Sequence, residues 1–198
     1  QKFIPGIVDI EGDWSGAAFL LCAGAIAGDI TVTGLNRDSS QPDRKIINAL
    51  RKAGAEVTIH SDSIEVKKSI LNGFEFDAGE CPDLFPPLAA LAVHCEGETV
   101  IHGAGRLKHK ESDRGMTIKT EMEKLGAVVD LHPDCMVIKG SLLHGAEIES
   151  HGDHRIAMMC AIAALKADSP VAINGADCVS KSYSEFFHHI IKLGAKVK

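Results

Sequence analysis

Three long apolar runs set the pattern of the chain. WSGAAFLLCAGAIAG follows Asp13, LFPPLAALAVHCEG follows Asp83 and HRIAMMCAIAALKA follows Asp153, so the three aspartates stand 70 residues apart. Each run leads into a short stretch rich in β-branched residues that closes on glycine: DITVTG to Gly34, ETVIHG to Gly103 and SPVAING to Gly175. Each unit then carries an amphipathic segment closing on a Gly-Ala pair, at Gly54, Gly126 and Gly194. Three landmarks recurring in one order mark an internal triplication, with units at about 7–72, 73–145 and 146–198.

Within a unit the two periodicities separate cleanly. The runs are apolar nearly all round, which suits a helix buried on every side. An aspartate at its head is a favoured N-cap, and Pro86 and Pro87 fall where proline is tolerated, in the first turn. Ile30 to Thr33 alternates and reads as a strand. From Asp43 to Ala53, Ile46, Ile47 and Leu50 share one face while Arg44, Lys45, Arg51 and Lys52 lie elsewhere, an outer helix capped by Gly54. Glu56 to His60 and Ile64 to Val66 alternate as two strands turned at Ser61-Asp62-Ser63. The unit is β-α-β-α-β-β. The third copy stops near Val197 with its last strand pair incomplete, a gap that sequence upstream of Gln1 would fill. The fold class is α/β (α+β): one globular lobe of three repeats with parallel inner helices buried under sheets and outer helices.

Composition narrows the options. The chain has 198 residues, 45% hydrophobic and 24% charged, which is globular and not disordered. With 21 basic against 27 acidic side chains the net charge is −6, so overall positive charge drives no nucleic-acid binding. The longest apolar run, from Ala17 to Gly28, is too short to cross a bilayer. No signal peptide or glycosylation sequon is present. The six cysteines (Cys22, Cys81, Cys95, Cys135, Cys160, Cys178) are scattered without a C-x-x-C, several within apolar runs. The reading is a cytoplasmic protein, with no membrane partner, and the Gln1 start marks an excised piece of a longer chain.

If the units obey pseudo-threefold symmetry, the inner helices point their N-termini to one face and make it attractive to anions. Three charged segments border that face. Arg106 to Arg114 reads RLKHKESDR, for which the bland alternative is a solvated turn with Ser112 or Asp113 capping the next helix. His151-Gly-Asp-His-Arg155 opens the third run, with Asp153 as a cap and two surface histidines as its bland alternative. A zinc site on His151 and His154 lacks further ligands at convincing spacing. CVSKSYSEFF places Lys181 in the loop equivalent to the first segment. Symmetry thus gathers Lys110, Arg114, Arg155 and Lys181. Two such cations about 4 Å apart repel by about 4 kcal/mol at an effective dielectric near 20, so an anion belongs among them.

KESDR at Lys110–Arg114, GDHR at Gly152–Arg155, Pro82-Asp83 and CVSKSY at Cys178–Tyr183 together closely resemble the 5-enolpyruvylshikimate-3-phosphate synthase family, over the whole chain but only the family's C-terminal lobe. The resemblance implies transfer of the enolpyruvyl group of phosphoenolpyruvate to the 5-hydroxyl of shikimate 3-phosphate, with release of phosphate and without a cofactor or metal. It implies a missing N-terminal lobe and a fragment unable to turn over alone. It puts Arg114, Arg155 and Lys181 on phosphoenolpyruvate, Asp83 on a shikimate hydroxyl as general base, Lys110 and Glu111 in proton transfer, and His154 in orienting the ligand; Asp83 and Lys110 also count as substrate-binding. Arg106 stands where the family often has a smaller polar group, and Asp13 reads as structural. The rivals are the sister enolpyruvyl transferase acting on UDP-N-acetylglucosamine, and a non-catalytic repeat module that binds an anion.

Overall fold

The computed structural model describes residues 6, 7 and 10–198, with the side chain of His109 left aside. Inner helices α1 (Trp14–Ala27), α3 (Phe85–Ala92) and α5 (His154–Ala163) pack against one another, each in contact with both others. Their side chains are buried on all sides: Phe19, Leu21 and Cys22 of α1, every residue of α3, and Ile156 to Ala163 of α5. Complete burial of a Leu, Ile or Phe side chain stabilises by about 1.5–3 kcal/mol, so this contact is the main source of stability. At the far ends of these helices His94 bonds the Ala163 carbonyl through Nε2 at 3.0 Å. Burial pushes this imidazole down to about 4, so it is neutral at pH 7 and ties α3 to α5 without charge.

Outer helices α2 (Ile46–Lys52), α4 (Arg114–Lys124) and α6 (Phe186–Lys192) cover the bundle. In α2 the buried side chains are Ile46, Ile47, Ala49 and Leu50, the face the spacing predicts. The first sheet runs β1 (Ile30–Thr33), β3 (Ser63–Lys67), β2 (Glu56–Ile59), all antiparallel, with Val66 opposite both Ile30 and Val57. The second has the same order and one strand more: β4 (Glu75–Asp77), parallel to β5 (Glu98–His102), then β7 (Cys135–Lys139) and β6 (Val128–Leu131). The third is a parallel pair, β8 (Glu147–Glu149) and β9 (Ala172–Asn174), with no antiparallel pair after α6 among the described residues. The opening strand expected near residue 7 falls partly on residues 8 and 9, outside the described residues. Gly54, Gly126 and Gly194 all adopt positive φ after an outer helix, as the closing glycines of the sequence pattern require.

One expectation fails at the head of α3. Asp13 and Asp153 cap α1 and α5 with their side chains, but Asp83 caps nothing. It lies instead in a 3-10 turn, Pro82–Leu84, just before the helix. Asp13 accepts from the amides of Ser15 and Gly16, two and three residues on. The third residue after Asp83 is Pro86, which has no amide hydrogen to offer. The carboxylate is thereby released for partners elsewhere.

Gly103 starts the 3-10 segment Ala104–His109 that leads into the Lys110 loop. It has φ +91°, and a Cβ there would lie 2.6 Å from the backbone nitrogen of Gly79. Gly103→Ala should cost about 2–5 kcal/mol, left-handed strain plus overpacking against rigid backbone. Urea denaturation checks this, and a loss below about 1 kcal/mol contradicts the close packing of these two turns.

Candidate active site

Asp83 lies at the centre of a cluster of charges at the N-terminal ends of α3 and α5. Its Oδ1 accepts from Arg114 Nη1 at 2.7 Å and from Lys110 Nζ at 3.0 Å, and its Oδ2 pairs with Arg155 Nη2 at 3.3 Å. Arg114, the first residue of α4, is wholly buried and meets two more carboxylates. Its Nε donates to Asp153 Oδ2 at 2.9 Å, its Nη2 to Asp153 Oδ1 at 3.3 Å, and Nη2 also to Glu111. Asp153 is equally buried and does two jobs, capping α5 through the Arg155 amide at 3.0 Å while holding the Arg114 fork. Ser112 Oγ adds a hydrogen bond to Asp153 at 3.2 Å, and Asp113 caps α4 through the Met116 amide.

The chain thus supplies the anions the cations need. Sequence reasoning expected Lys110, Arg114, Arg155 and Lys181 to gather on one positive face around a ligand anion, with Arg114 holding that ligand. In the structure Asp83, Glu111 and Asp153 lie among the cations, and the Arg114 guanidinium is enclosed by all three. Lys181, in the 3-10 segment Ala176–Lys181, stays out of this set; its Nζ donates to the Gly152 carbonyl at 2.8 Å and is otherwise exposed. His154 is buried, with Nδ1 lacking a hydrogen-bond partner, and so is Arg155 Nε. Arg106 turns aside to the Gly79 carbonyl at 2.5 Å.

Burial sets the protonation states against the charges. Burial pushes the Asp83 carboxyl up, but Arg155, Lys110 and Arg114 together outweigh it and hold the carboxyl below its ordinary value. Burial alone would lower Arg114, yet Asp153, with Glu111 and Asp83, raises it. His154 is lowered by burial and by Arg155 beside it, which favours the neutral imidazole. The site therefore offers an ionised carboxylate beside an ammonium, and a buried neutral ring, a set fit for moving protons next to an anion.

Two groups escaped the sequence reading. Asp43, in the 3-10 turn Pro42–Lys45 before α2, is buried and accepts from Ser15 Oγ at the head of α1; burial raises its carboxyl despite that hydrogen bond. Glu121 is buried on α4 against the loop that precedes α5. Neither had a signal, since a single carboxylate on an outer helix normally faces water. Among the described residues, no group of three His, Cys, Asp or Glu side chains is placed to hold a metal ion. No helix there is long and apolar enough to cross a membrane.

Three repeated inner helices with a mixed-charge cluster at their heads define a chain of enolpyruvyl-transferase architecture. It superimposes on EPSP synthase from Acinetobacter baumannii with a TM-score of 0.86 at 29% identity, over 96% of this chain and 47% of that one. The fold also matches the enolpyruvyl transferase NikO from Streptomyces tendae, with a TM-score of 0.76 at 20% identity, over 96% of this chain and 45% of that one. The family model for EPSP synthase (3-phosphoshikimate 1-carboxyvinyltransferase) matches residues 1–190, and the chain belongs to that family. The 3-phosphoshikimate 1-carboxyvinyltransferase of Clostridium acetobutylicum is 46% identical over 189 residues, 95% of this chain and 44% of that protein. The one from Methanococcus maripaludis is 35% identical over 201 residues, 100% of this chain and 47% of that protein. The chain spans about half the length of the curated relatives it matches.

Asp83→Asn removes one carboxylate from among three cations and should cost about 1–3 kcal/mol at neutral pH. Because the folded carboxyl lies below its unfolded value, its contribution is complete above about pH 5 and fades as pH falls through the folded pKa. The gap in stability between wild type and variant should therefore shrink steadily as pH falls below about 4, as urea midpoints at a series of pH values would show. A gap that stays constant or widens on acidification contradicts the assigned ion pairs.

Proposed function

We propose that this chain is one wall of an active site that transfers the enolpyruvyl group of phosphoenolpyruvate to the 5-hydroxyl of shikimate 3-phosphate, the other wall coming from a second lobe of the same enzyme. The units at about 7–72, 73–145 and 146–198 form a single lobe in this reading. The observation that carries it is the meeting of Lys110, Arg114 and Arg155 on Asp83 at the head of α3, within the family's own motifs. Arg155 and Lys181 have donors to spare and receive the phosphate and carboxylate of phosphoenolpyruvate. Arg114 reaches that ligand by exchange. Of its three acidic partners Glu111 is the most exposed, with 45% of its side chain open, so an incoming carboxylate displaces Glu111 from Nη2 and leaves the buried Asp153 in place.

The released Glu111 then stands free beside Lys110 for proton transfer. The 5-hydroxyl loses its proton to Asp83 as its oxygen bonds to C2 of phosphoenolpyruvate, and the methylene carbon takes a proton from the Lys110 ammonium. In the second step the bond to the phosphate oxygen breaks, phosphate leaves, and the new methyl group gives a proton to Lys110 or to the Glu111 carboxylate. His154, neutral and buried beside Arg155, orients the intermediate.

The test is phosphate release by the full-length protein that carries this chain, given phosphoenolpyruvate with shikimate 3-phosphate or with UDP-N-acetylglucosamine. Release with the first acceptor alone is expected, whereas release with the second, or with neither, overturns the reading. In the active protein, Asp83→Asn and Glu111→Gln should each lower kcat by about 100-fold or more. Turnover within about tenfold of wild type, a barrier change under about 1.4 kcal/mol, removes the residue from the proton-transfer steps.

A further inference from the structure

Helix α4 touches the loop before α5 at two points, and only the first belongs to the charged cluster. That contact is Arg114 to Asp153. The second lies seven residues on, two helical turns or about 10 Å away, at Glu121. The Glu121 side chain is wholly buried, yet three donors converge on it. His151 Nε2 lies 2.8 Å from Oε1, the Glu149 amide 2.9 Å from Oε2, and Lys124 Nζ 3.0 Å and 2.8 Å from the two oxygens. His151 is the one non-glycine residue with positive φ among the described residues, at +54°, and Gly152 follows at +67°. A left-handed residue with a Cβ costs about 1–2 kcal/mol, so this turn persists because something holds it.

What the turn presents is the anion-binding side of the proposed site. The Gly152 carbonyl receives Lys181, Asp153 receives Arg114, and Arg155 leaves the turn as the second residue of α5. We infer that Glu121 is a positioning residue which, by gripping His151 and the Glu149 amide, fixes this left-handed turn and so places Lys181 and Arg155 for the phosphoenolpyruvate anion. Glu121 itself touches no substrate. The inference rests on the transferase reading above for the identity of the anion.

Glu121→Gln keeps the shape but offers a single acceptor oxygen where three donors meet. In the full-length enzyme it should raise KM for phosphoenolpyruvate about tenfold while KM for shikimate 3-phosphate stays within about twofold. His151→Gly, which relieves the backbone strain but removes the hook, should do the same, and the double variant should be no worse than either alone. Amide hydrogen exchange, which needs no activity, should quicken at Gly152, Asp153 and Arg155 in Glu121→Gln and stay unchanged at the head of α1. Equal rises in both KM values, an unchanged KM for phosphoenolpyruvate, or unchanged exchange in the turn overturns the inference. A wild-type enzyme that transfers nothing fails the transferase reading instead, and the exchange measurement still decides whether Glu121 holds the turn.

Discussion

A guanidinium enclosed by protein must be met by acids, and that requirement at Arg114 organises the rest of the site. Moving an ion out of water costs several kcal/mol, recovered only if its hydrogens find well-placed acceptors. Here the acceptors come from three separate stretches: Asp83 before α3, Glu111 in the loop before α4, and Asp153 before α5. Fixing Arg114 therefore fixes the relative positions of all three. Lys110 and Arg155 then add themselves to the carboxylate that Arg114 already holds. This is how the cations gather: the chain carries its own counter-ions, one of them exposed enough to be exchanged.

The scaffold makes that meeting possible by a different physics. Inner helices apolar on every side have no solvent face, so they pack together and bring their first turns to one end of the chain. Sheets with a shared strand order then set the loops around that end. Stability thus comes from the apolar bundle, while the ion pairs contribute specificity of position more than net free energy. The division also separates fixed from exchangeable parts. Arg114, Asp153 and Glu121 are buried, whereas Lys181 and Glu111 lie at the exposed margin, where side chains reorient readily.

Much of this was legible in the sequence because periodicity reports burial directly. The all-round apolar runs are the inner helices, the alternating segments are strands, and the repeated glycines take left-handed backbone. The failures are local. Asp83 looked like a helix cap by analogy with Asp13 and Asp153, although Pro86 had already removed one of the two amides that the Asp13 cap uses. What the spacing did not show is that Asp83, Glu111 and Asp153 serve as internal counter-ions to Arg114. Spacing tells which loops meet but not which charges pair within them. Glu121 and Asp43 gave no sign at all, since one carboxylate on an outer helix or in the turn before it looks the same whether it faces water or a neighbouring element.

The order of this charged end of the chain depends on the energetic union of Arg114 and Asp153. A double-mutant cycle with Arg114→Met and Asp153→Asn, read by urea denaturation at neutral pH, measures it most directly. Each single change should cost about 3–5 kcal/mol, because Arg114→Met leaves the buried Asp153 carboxylate without a cation and Asp153→Asn takes the carboxylate from the buried guanidinium's Nε, and the double change should cost little more than one alone. Single losses that add to within about 0.5 kcal/mol would mean that the two charges are solvated separately and that no buried hub organises this end of the chain.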